Sequence, residues 1–209
     1  MKQEKGGRIK ALIFDVGGVL RLGHPSFNHP NVHSFVAREL KTNLDQYLDS
    51  IDTPYAKSIE GKISEEKALR IMARNLKTTP KKLRKLYLKT YKKYYTLNKE
   101  LLEFAFKKKK QGYKIAILSD QWYLSKKALF SRDFYDKFDA VIISCDVGLR
   151  KPNPKIYRLT LKKLKVKPKE SVFIDNQKWN LVPARKLGMK NILFKNNKQS
   201  IKELNQILK

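Results

Sequence analysis

Five short apolar runs, separated by segments with helical periodicity, constrain the fold of this chain more than any other feature. The runs are IKALIFD (9–15), YKIAILS (113–119), DAVIIS (139–144), SVFID (171–175) and NILF (191–194). Each run is rich in apolar or β-branched residues and has the length of a strand. Strands that alternate with helices predict a parallel sheet with helices on both faces. We therefore expect an α/β, Rossmann-like core of about five strands.

The helical segments between these runs carry recognisable end signals. Asn98 is a candidate N-cap, Pro154 stands in a first turn, and Gly188 follows a last helical residue. The predicted helices cover 98–110, 125–133, 153–164 and 180–188. These segments are the connections that neighbouring parallel strands require.

One connection is much longer than the others. The first strand ends near residue 20 and the second begins near residue 113, which is too far for a single crossover helix. Helical patterns cover 33–40, 43–51, 63–76 and 80–95 within this gap. We interpret 22–95 as an inserted α-helical cap on a core formed by 1–21 and 96–209. The connections near Leu22 and Thr96 are predicted hinges about which the cap closes over a substrate.

The chain is strongly basic, with 47 lysine and arginine residues, 19 acidic residues and a formal charge of +28. Such a charge indicates anionic partners, such as phosphate esters or nucleic acid. Only ten of the basic residues are arginine, the side chain best suited to bidentate recognition of phosphates and bases. The tyrosines of 87–95 are interpreted as packing residues rather than as a nucleic-acid platform. A small phosphorylated partner is therefore favoured over nucleic acid.

Cysteine content and hydropathy indicate the cellular setting. Cys145 is the single cysteine, so an intrachain disulfide is excluded and a reducing, cytoplasmic location is expected. No segment of the sequence approaches the length of an apolar membrane span, so no membrane partner is expected.

Polar residues follow four of the predicted strands. They are Asp15, Ser119 with Asp120, Arg150 with Lys151, and Asp175 with Asn176. Ligands of open parallel sheets bind beyond the carboxyl ends of the strands, so these side chains should converge there. The carboxylates could serve as a nucleophile or as ligands of a hard cation such as Mg²⁺, and the hydroxyl and lysine could hold phosphate. This chemistry is typical of phosphoryl transfer.

Four segments resemble, in order, the motifs of the haloacid dehalogenase superfamily: IFDVGGVL, AILSD, GLRKPNPKIY and VFIDNQKWN. The first motif is similar to that of a branch that includes phosphatase-like domains. The resemblance implies a magnesium-dependent phosphatase that hydrolyses a small phosphorylated metabolite through an aspartyl-phosphate. By this resemblance Asp15 is the nucleophile and Lys151 assists it. The implied phosphate-binding residues are Ser119, Asp120, Lys151 and Gly18; the implied Mg²⁺ ligands are Asp15, the Gly17 backbone carbonyl, Asp175 and Asn176.

Two positions depart from the family pattern and leave alternatives open. Gly17 stands where most phosphatases of the family carry an aspartate that acts as general acid and base, and Asn176 stands where an aspartate is usual. His24 is a candidate substitute acid. The alternatives are a weak or inactive binding protein, a metal-free 2-haloacid dehalogenase, and a phosphatase of nucleic-acid ends.

Overall fold

A five-stranded parallel sheet forms the centre of the molecule. The computed structural model describes residues 8–23 and 32–209. Its strands are β1 (Ala11–Phe14), β2 (Arg21–Gly23), β3 (Tyr95–Leu97), β4 (Lys114–Ser119), β5 (Ala140–Ile143), β6 (Ser171–Asp175) and β7 (Lys190–Leu193). The sheet has the order β5-β4-β1-β6-β7, and every neighbouring pair is parallel. The predicted α/β core is confirmed.

Helices connect the strands and flank the sheet. They are α1 (Val32–Glu39), α2 (Leu44–Ile59), α3 (Glu65–Asn75), α4 (Pro80–Tyr94), α5 (Lys99–Lys110), α6 (Tyr123–Leu129), α7 (Arg132–Tyr135), α8 (Ser144–Val147), α9 (Pro154–Leu164), α10 (Lys178–Lys186) and α11 (Asn197–Ile207). The N-cap side chain of Asn98 accepts a hydrogen bond from the Leu101 amide, as predicted. Pro154 is the first residue of α9, and Gly188 follows α10 with a φ of 90°.

The alternation of side chains along each strand forms two apolar layers. In β1, Leu12 and Phe14 join one core cluster, whereas Ala11 and Ile13 join the other. Helices α5 and α11 cover the first face, and α9 and α10 cover the second. Each fully buried Leu, Ile or Phe contributes roughly 1.5–3 kcal/mol to stability. Because both faces are covered, the continuous apolar composition of the strands is explained.

Helices α1–α4, here called the cap helices, lie between β2 and β3 in the chain. They share one hydrophobic cluster with a face of the sheet. Tyr87 and Tyr91 of α4 are buried, and the indole Nε1 of Trp122 donates a 2.8 Å hydrogen bond to the Tyr91 hydroxyl. The interpretation of these tyrosines as packing residues is confirmed. The division of the chain into 22–95 and a core, and the closure of the cap, stay predictions.

The two connections to the cap helices form a structure that the sequence pattern did not reveal. Strands β2 and β3 pair antiparallel, with Leu22 opposite Thr96 and Gly23 opposite Tyr95. We call this pair the hinge ribbon. Its base is fixed to the core because the Asn98 amide donates to the Leu20 carbonyl. The two predicted hinges are therefore paired with each other.

Two predicted helices were wrong in their extent. The pattern at 43–51 lies in α2, which continues to Ile59. Residues 125–133 do not form a continuous helix, because α6 begins at Tyr123 and the backbone becomes extended at Phe130. Ser131 then caps α7 by accepting a hydrogen bond from the Phe134 amide. The stacked rings of Phe130 and Phe134, with centroids 4.0 Å apart, stabilise this corner.

Within 8–23 and 32–209, no helix is long and apolar enough to cross a bilayer.

Candidate active site

A cavity of about 300 Å³ opens at the carboxyl ends of the central strands β1, β4 and β6. This is the edge of the sheet at which the predicted site residues were expected to meet. Its walls are formed by Asp15, Gly17, Ser119, Asp120, Arg150, Lys151, Pro152, Asn176, Gln177, Trp179 and Asn180. Six of the eight predicted site residues therefore line one cavity. The remaining two contact its walls, because Gly18 packs on Asn176 and Asp175 binds Lys151.

Lys151 joins the two buried carboxylates of the site. Its Nζ lies 3.0 Å from Asp15 Oδ1 and donates a 2.7 Å hydrogen bond to Asp175 Oδ2. All three side chains are buried. A buried charge needs an oppositely charged partner, and here one cation serves two anions. The group therefore retains one net negative charge, and Asp15 keeps an oxygen available for chemistry.

Burial has opposite consequences for the protonation of these partners. Desolvation raises the pKa of Asp15 to about 6, although Lys151 opposes the change and Asp175 adds to it. For Lys151, desolvation lowers the pKa, but Asp15, Asp175 and Asp120 outweigh it, so the net pKa is raised. The lysine is thus protonated throughout the physiological range. Asp15 is ionised above pH 6 and can act as a nucleophile there.

Asp175 is held by hydrogen bonds on both of its oxygens. The backbone amide of Gln177 donates to Oδ1 at 2.7 Å, and the Asn180 side-chain amide donates to Oδ2 at 3.1 Å. The backbone of Asn180 is also fixed, because the Tyr157 hydroxyl donates a 2.7 Å hydrogen bond to the backbone carbonyl oxygen of Asn180. With the bond from Lys151, three donors occupy this fully buried carboxylate. Asp175 is therefore well placed to position Lys151.

The second strand end brings a hydroxyl and a further carboxylate to the cavity. Ser119 is buried and its Oγ accepts a 3.2 Å hydrogen bond from Gln121 Nε2, which leaves its own proton free to donate. Asp120 accepts a 3.0 Å hydrogen bond from the backbone amide of Lys151. Burial raises the pKa of Asp120, and the Lys151 charge opposes this. Asp120 thus connects the second and third predicted motifs.

Gly18 and Asn176 pack against each other at the end of β1. Gly18 has a φ of +80°, and a Cβ at this residue would lie 2.3 Å from Asn176 Nδ2. Only glycine allows this backbone conformation together with so close an approach. Asn176 Oδ1 is buried and has no hydrogen-bond partner in the described part of the chain. A buried oxygen without a partner is a free ligand position for a cation.

The oxygens of the site fit a magnesium ion. No three carboxylate, imidazole or thiol side chains come together as a metal cluster in 8–23 and 32–209. The donor set at this edge is instead two carboxylates, Asp15 and Asp175, with the Asn176 amide oxygen. Magnesium takes oxygen ligands and often uses only one or two carboxylates. The unpartnered Asn176 oxygen is the structural observation that supports this fit.

Asn180, Trp179 and Tyr95 are among the residues at this site that were not predicted from the sequence. Asn180 lies in the first turn of α10, where a helix that follows β6 must face the end of that strand. Trp179 lines the cavity with 62% of its surface exposed, an unusual position for a large aromatic side chain. Tyr95 approaches Gly17 from β3, and no local sequence signal reveals this contact. His24, the predicted substitute acid, lies outside the described residues.

Comparison with known proteins gives a family-model match and several similar sequences and structures. The family model for haloacid dehalogenase-like hydrolases matches residues 9–188. Bifunctional epoxide hydrolase 2 of Rattus norvegicus is 35% identical over 117 residues, which cover 54% of this chain but only 21% of that protein. Glyceraldehyde 3-phosphate phosphatase of Pyrococcus furiosus is 33% identical over 96 residues, or 43% of this chain and 38% of that protein. The chain thus spans a minor part of the length of these relatives.

Solved structures share the fold over nearly the whole chain. A HAD family enzyme of Bacteroides thetaiotaomicron, BT-2542, in complex with magnesium and inorganic phosphate, superposes with a TM-score of 0.74. The match covers 92% of this chain and 98% of that protein, at 18% sequence identity. The similarity at this identity concerns the fold.

Proposed function

The chain belongs to the haloacid dehalogenase-like hydrolases, and from this membership we propose that it is a magnesium-dependent phosphatase of small phosphorylated metabolites. The observation that carries the proposal is the pairing of Asp15 with Lys151 in a cavity at the carboxyl edge of the sheet. An ionised carboxylate beside a fixed cation is the equipment for attack on an electrophilic phosphorus. The phosphatase of Pyrococcus furiosus supports this choice among hydrolases.

In the proposed reaction, Asp15 attacks the phosphorus atom and the ester oxygen of the substrate leaves. This step forms an aspartyl-phosphate, which water then hydrolyses to restore Asp15. Lys151 faces the attacking oxygen and offsets the negative charge of the phosphoryl group. The Ser119 hydroxyl donates to a phosphate oxygen. Asp120 accepts from the Lys151 amide and keeps the loop that carries the lysine in place.

Magnesium would be held by the Asp15 carboxylate, the Gly17 carbonyl oxygen and Asn176 Oδ1, with the remaining acceptor capacity of Asp175 nearby. When bound, the ion offsets the charge of the phosphate and of the two carboxylates. BT-2542, which shares the fold, binds magnesium together with inorganic phosphate. Gly18 keeps the backbone close to Asn176, so that the amide oxygen remains available.

The dimensions of the cavity favour a small substrate. A volume of about 300 Å³ is at the lower end for ligand sites. Arg150 is exposed at the rim of the cavity and can contact a second anionic group of the substrate. A small phosphorylated metabolite is therefore the proposed partner, in preference to nucleic acid.

A metal-free haloacid dehalogenase is the second candidate, and one observation favours it. Lys151 already offsets the charge of Asp15 and Asp175 without a metal. In such an enzyme the carboxylate attacks carbon and displaces a halide, so no divalent cation is needed.

Phosphate and halide release distinguish these functions. The assay measures turnover of p-nitrophenyl phosphate with Mg²⁺ and with EDTA, and chloride release from 2-chloropropionate under both conditions. The proposal predicts phosphate release that EDTA abolishes and that Asp15→Asn eliminates. The matched control Asp52→Asn changes an exposed aspartate on α2 and should retain full activity. Chloride release that EDTA leaves unchanged would select the dehalogenase, and no turnover in either assay would select a binding protein.

A further inference from the structure

The space beside Gly17 is occupied by a tyrosine hydroxyl. A Cβ at Gly17 would have the Tyr95 Oη at 3.9 Å, and no other atom of the described residues beyond the chain neighbours lies within 4 Å. Gly17 itself lines the cavity, two residues after Asp15. The Tyr95 hydroxyl is therefore directed toward the region in which a substrate bound at Asp15 would have its leaving group.

Tyr95 is held in this place by its ring and by its backbone. Its ring stacks on Tyr91, with centroids 6.3 Å apart and an interplanar angle of 16°. The Tyr95 ring also packs edge-to-face with the Tyr94 ring, with ring centroids 4.9 Å apart and an interplanar angle of 90°. The backbone pairs with Gly23 in the hinge ribbon. The base of the hinge ribbon is fixed to the core, so the backbone of Tyr95 is anchored close to the catalytic edge of the sheet.

The hydroxyl group has no role in this packing. Within 8–23 and 32–209, no atom forms a hydrogen bond with the Tyr95 Oη, and the side chain is half-buried. The Oη is not one of the fully buried unpartnered atoms of the described residues, so it is open to solvent or to a bound ligand. Its position, its lack of a partner and its fixed ring are what a hydrogen-bond donor to a bound ligand requires.

The polar groups that line the cavity are less suited than the nearby Tyr95 hydroxyl to donate a proton to a leaving oxygen. Lys151 is bound to two carboxylates, and Asp15 is the attacking group. Asp120 accepts the Lys151 amide and lies at the end of the neighbouring strand. Displacement of a basic alkoxide or phenoxide needs a proton in the transition state. Tyr95 carries such a proton.

We propose that Tyr95 is a catalytic residue that donates its phenol proton to the leaving oxygen of the phosphate ester. This inference rests on the proposed phosphatase function. Attack by Asp15 forms the new oxygen–phosphorus bond, and the bond from phosphorus to the leaving oxygen breaks. The phenol proton passes to that oxygen, so an alcohol and a tyrosinate result. In the second half, water attacks the aspartyl-phosphate and gives one proton to the tyrosinate, which restores Tyr95 and Asp15 and releases phosphate.

The test compares two substrates that differ in the basicity of the leaving group. p-Nitrophenolate leaves readily without a proton, whereas phenolate, with a pKa of about 10, is as basic as an ordinary tyrosinate. Burial raises the pKa of Tyr95 above this value, so a strongly basic leaving oxygen is the one that its proton helps most. Tyr95→Phe keeps the stacked ring and removes only the oxygen. We expect kcat for phenyl phosphate to fall about 10²-fold or more, as is typical for loss of a general acid. For p-nitrophenyl phosphate, kcat should fall only a few-fold, and KM should change little for either substrate.

Two further variants separate the chemical role from packing. Tyr94→Phe removes a hydroxyl one residue earlier, which lies against Gly23 rather than Gly17, and should leave both activities unchanged. Gly17→Asp in the Tyr95→Phe background places a carboxyl group beside the lost oxygen and should restore at least tenfold of the phenyl phosphate activity. Tyr95→Phe should unfold at the wild-type temperature within a few degrees.

The outcomes are separable. If wild type is active but Tyr95→Phe loses both activities equally, or neither, then Tyr95 does not protonate the leaving group and the inference is overturned. If wild type itself does not release phosphate from p-nitrophenyl phosphate, the phosphatase proposal fails, and the role of Tyr95 fails with it. A selective loss on phenyl phosphate, with rescue by Gly17→Asp, establishes the inference.

Discussion

Replacing Asp15, the proposed nucleophile, with asparagine should abolish activity and, in the metal-free protein, stabilise the fold. The carboxylate is buried, and its pKa in the folded state is raised from 3.8 to about 6. Folding thus disfavours the ionised form of this side chain. Asparagine has nearly the same shape but no charge, and Lys151 retains its 2.7 Å bond to Asp175.

The size and pH dependence of this effect follow from the same values. The difference between 3.8 and about 6 corresponds to about 3 kcal/mol at 25 °C. Between these pH values the folded wild type retains a proton that the unfolded chain has released, so wild-type stability falls as pH rises. The Asp15→Asn variant has no titrating group at this position and lacks this dependence. The gain from the substitution should be near zero below pH 3.8, increase through this window and reach its maximum above pH 6.

The assay is urea unfolding in EDTA at pH values from 4 to 8 in about half-unit steps, which report the difference in unfolding free energy. Asp175→Asn is the matched control because it makes the same chemical change in the same cluster. Asp175 accepts bonds from Lys151, Gln177 and Asn180 on its two oxygens, and asparagine has only one acceptor oxygen, so this variant should lose about 1–3 kcal/mol. Destabilisation by Asp15→Asn at pH 7, or a gain independent of pH, would refute the reasoning.

Three other substitutions test separate parts of the structure. Asn176→Asp should lower the half-saturating Mg²⁺ concentration of the proposed phosphatase activity, because it adds an anionic oxygen at the unpartnered position; an unchanged or higher value would show that residue 176 does not face the metal. Lys151→Met should eliminate turnover and destabilise the protein by about 3–5 kcal/mol in urea unfolding, since two buried carboxylates lose their shared cation. Gly61→Ala should lower the melting temperature more than Gly112→Ala. Both glycines have a positive φ, but of the two only a Cβ at residue 61 would clash with a backbone oxygen, that of Cys145. Equal losses of melting temperature in the two glycine variants would mean that the backbone near Cys145 moves away from a Cβ at residue 61 at no cost in stability.

The sequence alone determined the core because its signals are local. Strand runs and their polar ends are read within a few residues, and parallel strands bring their carboxyl ends to one edge. Asp15, Ser119 and Asp175 could therefore be assigned to one site before any contact was known. The N-cap at Asn98 and the first-turn proline at 154 are likewise set by neighbouring backbone groups.

The tertiary structure decided the pairing of the hinge ribbon and the contacts among the side chains of the site. Strands β2 and β3 have three residues each, too few for a periodic signal. They pair with each other although all of the cap helices lie between them in the sequence. The approach of Tyr95 to Gly17 depends on that pairing register, as the bridging of two carboxylates by Lys151 depends on the spacing of three strands. Periodicity records which face of an element is buried, but it carries no information about distant partners. Which side chains meet across the chain is fixed only when the elements pack together.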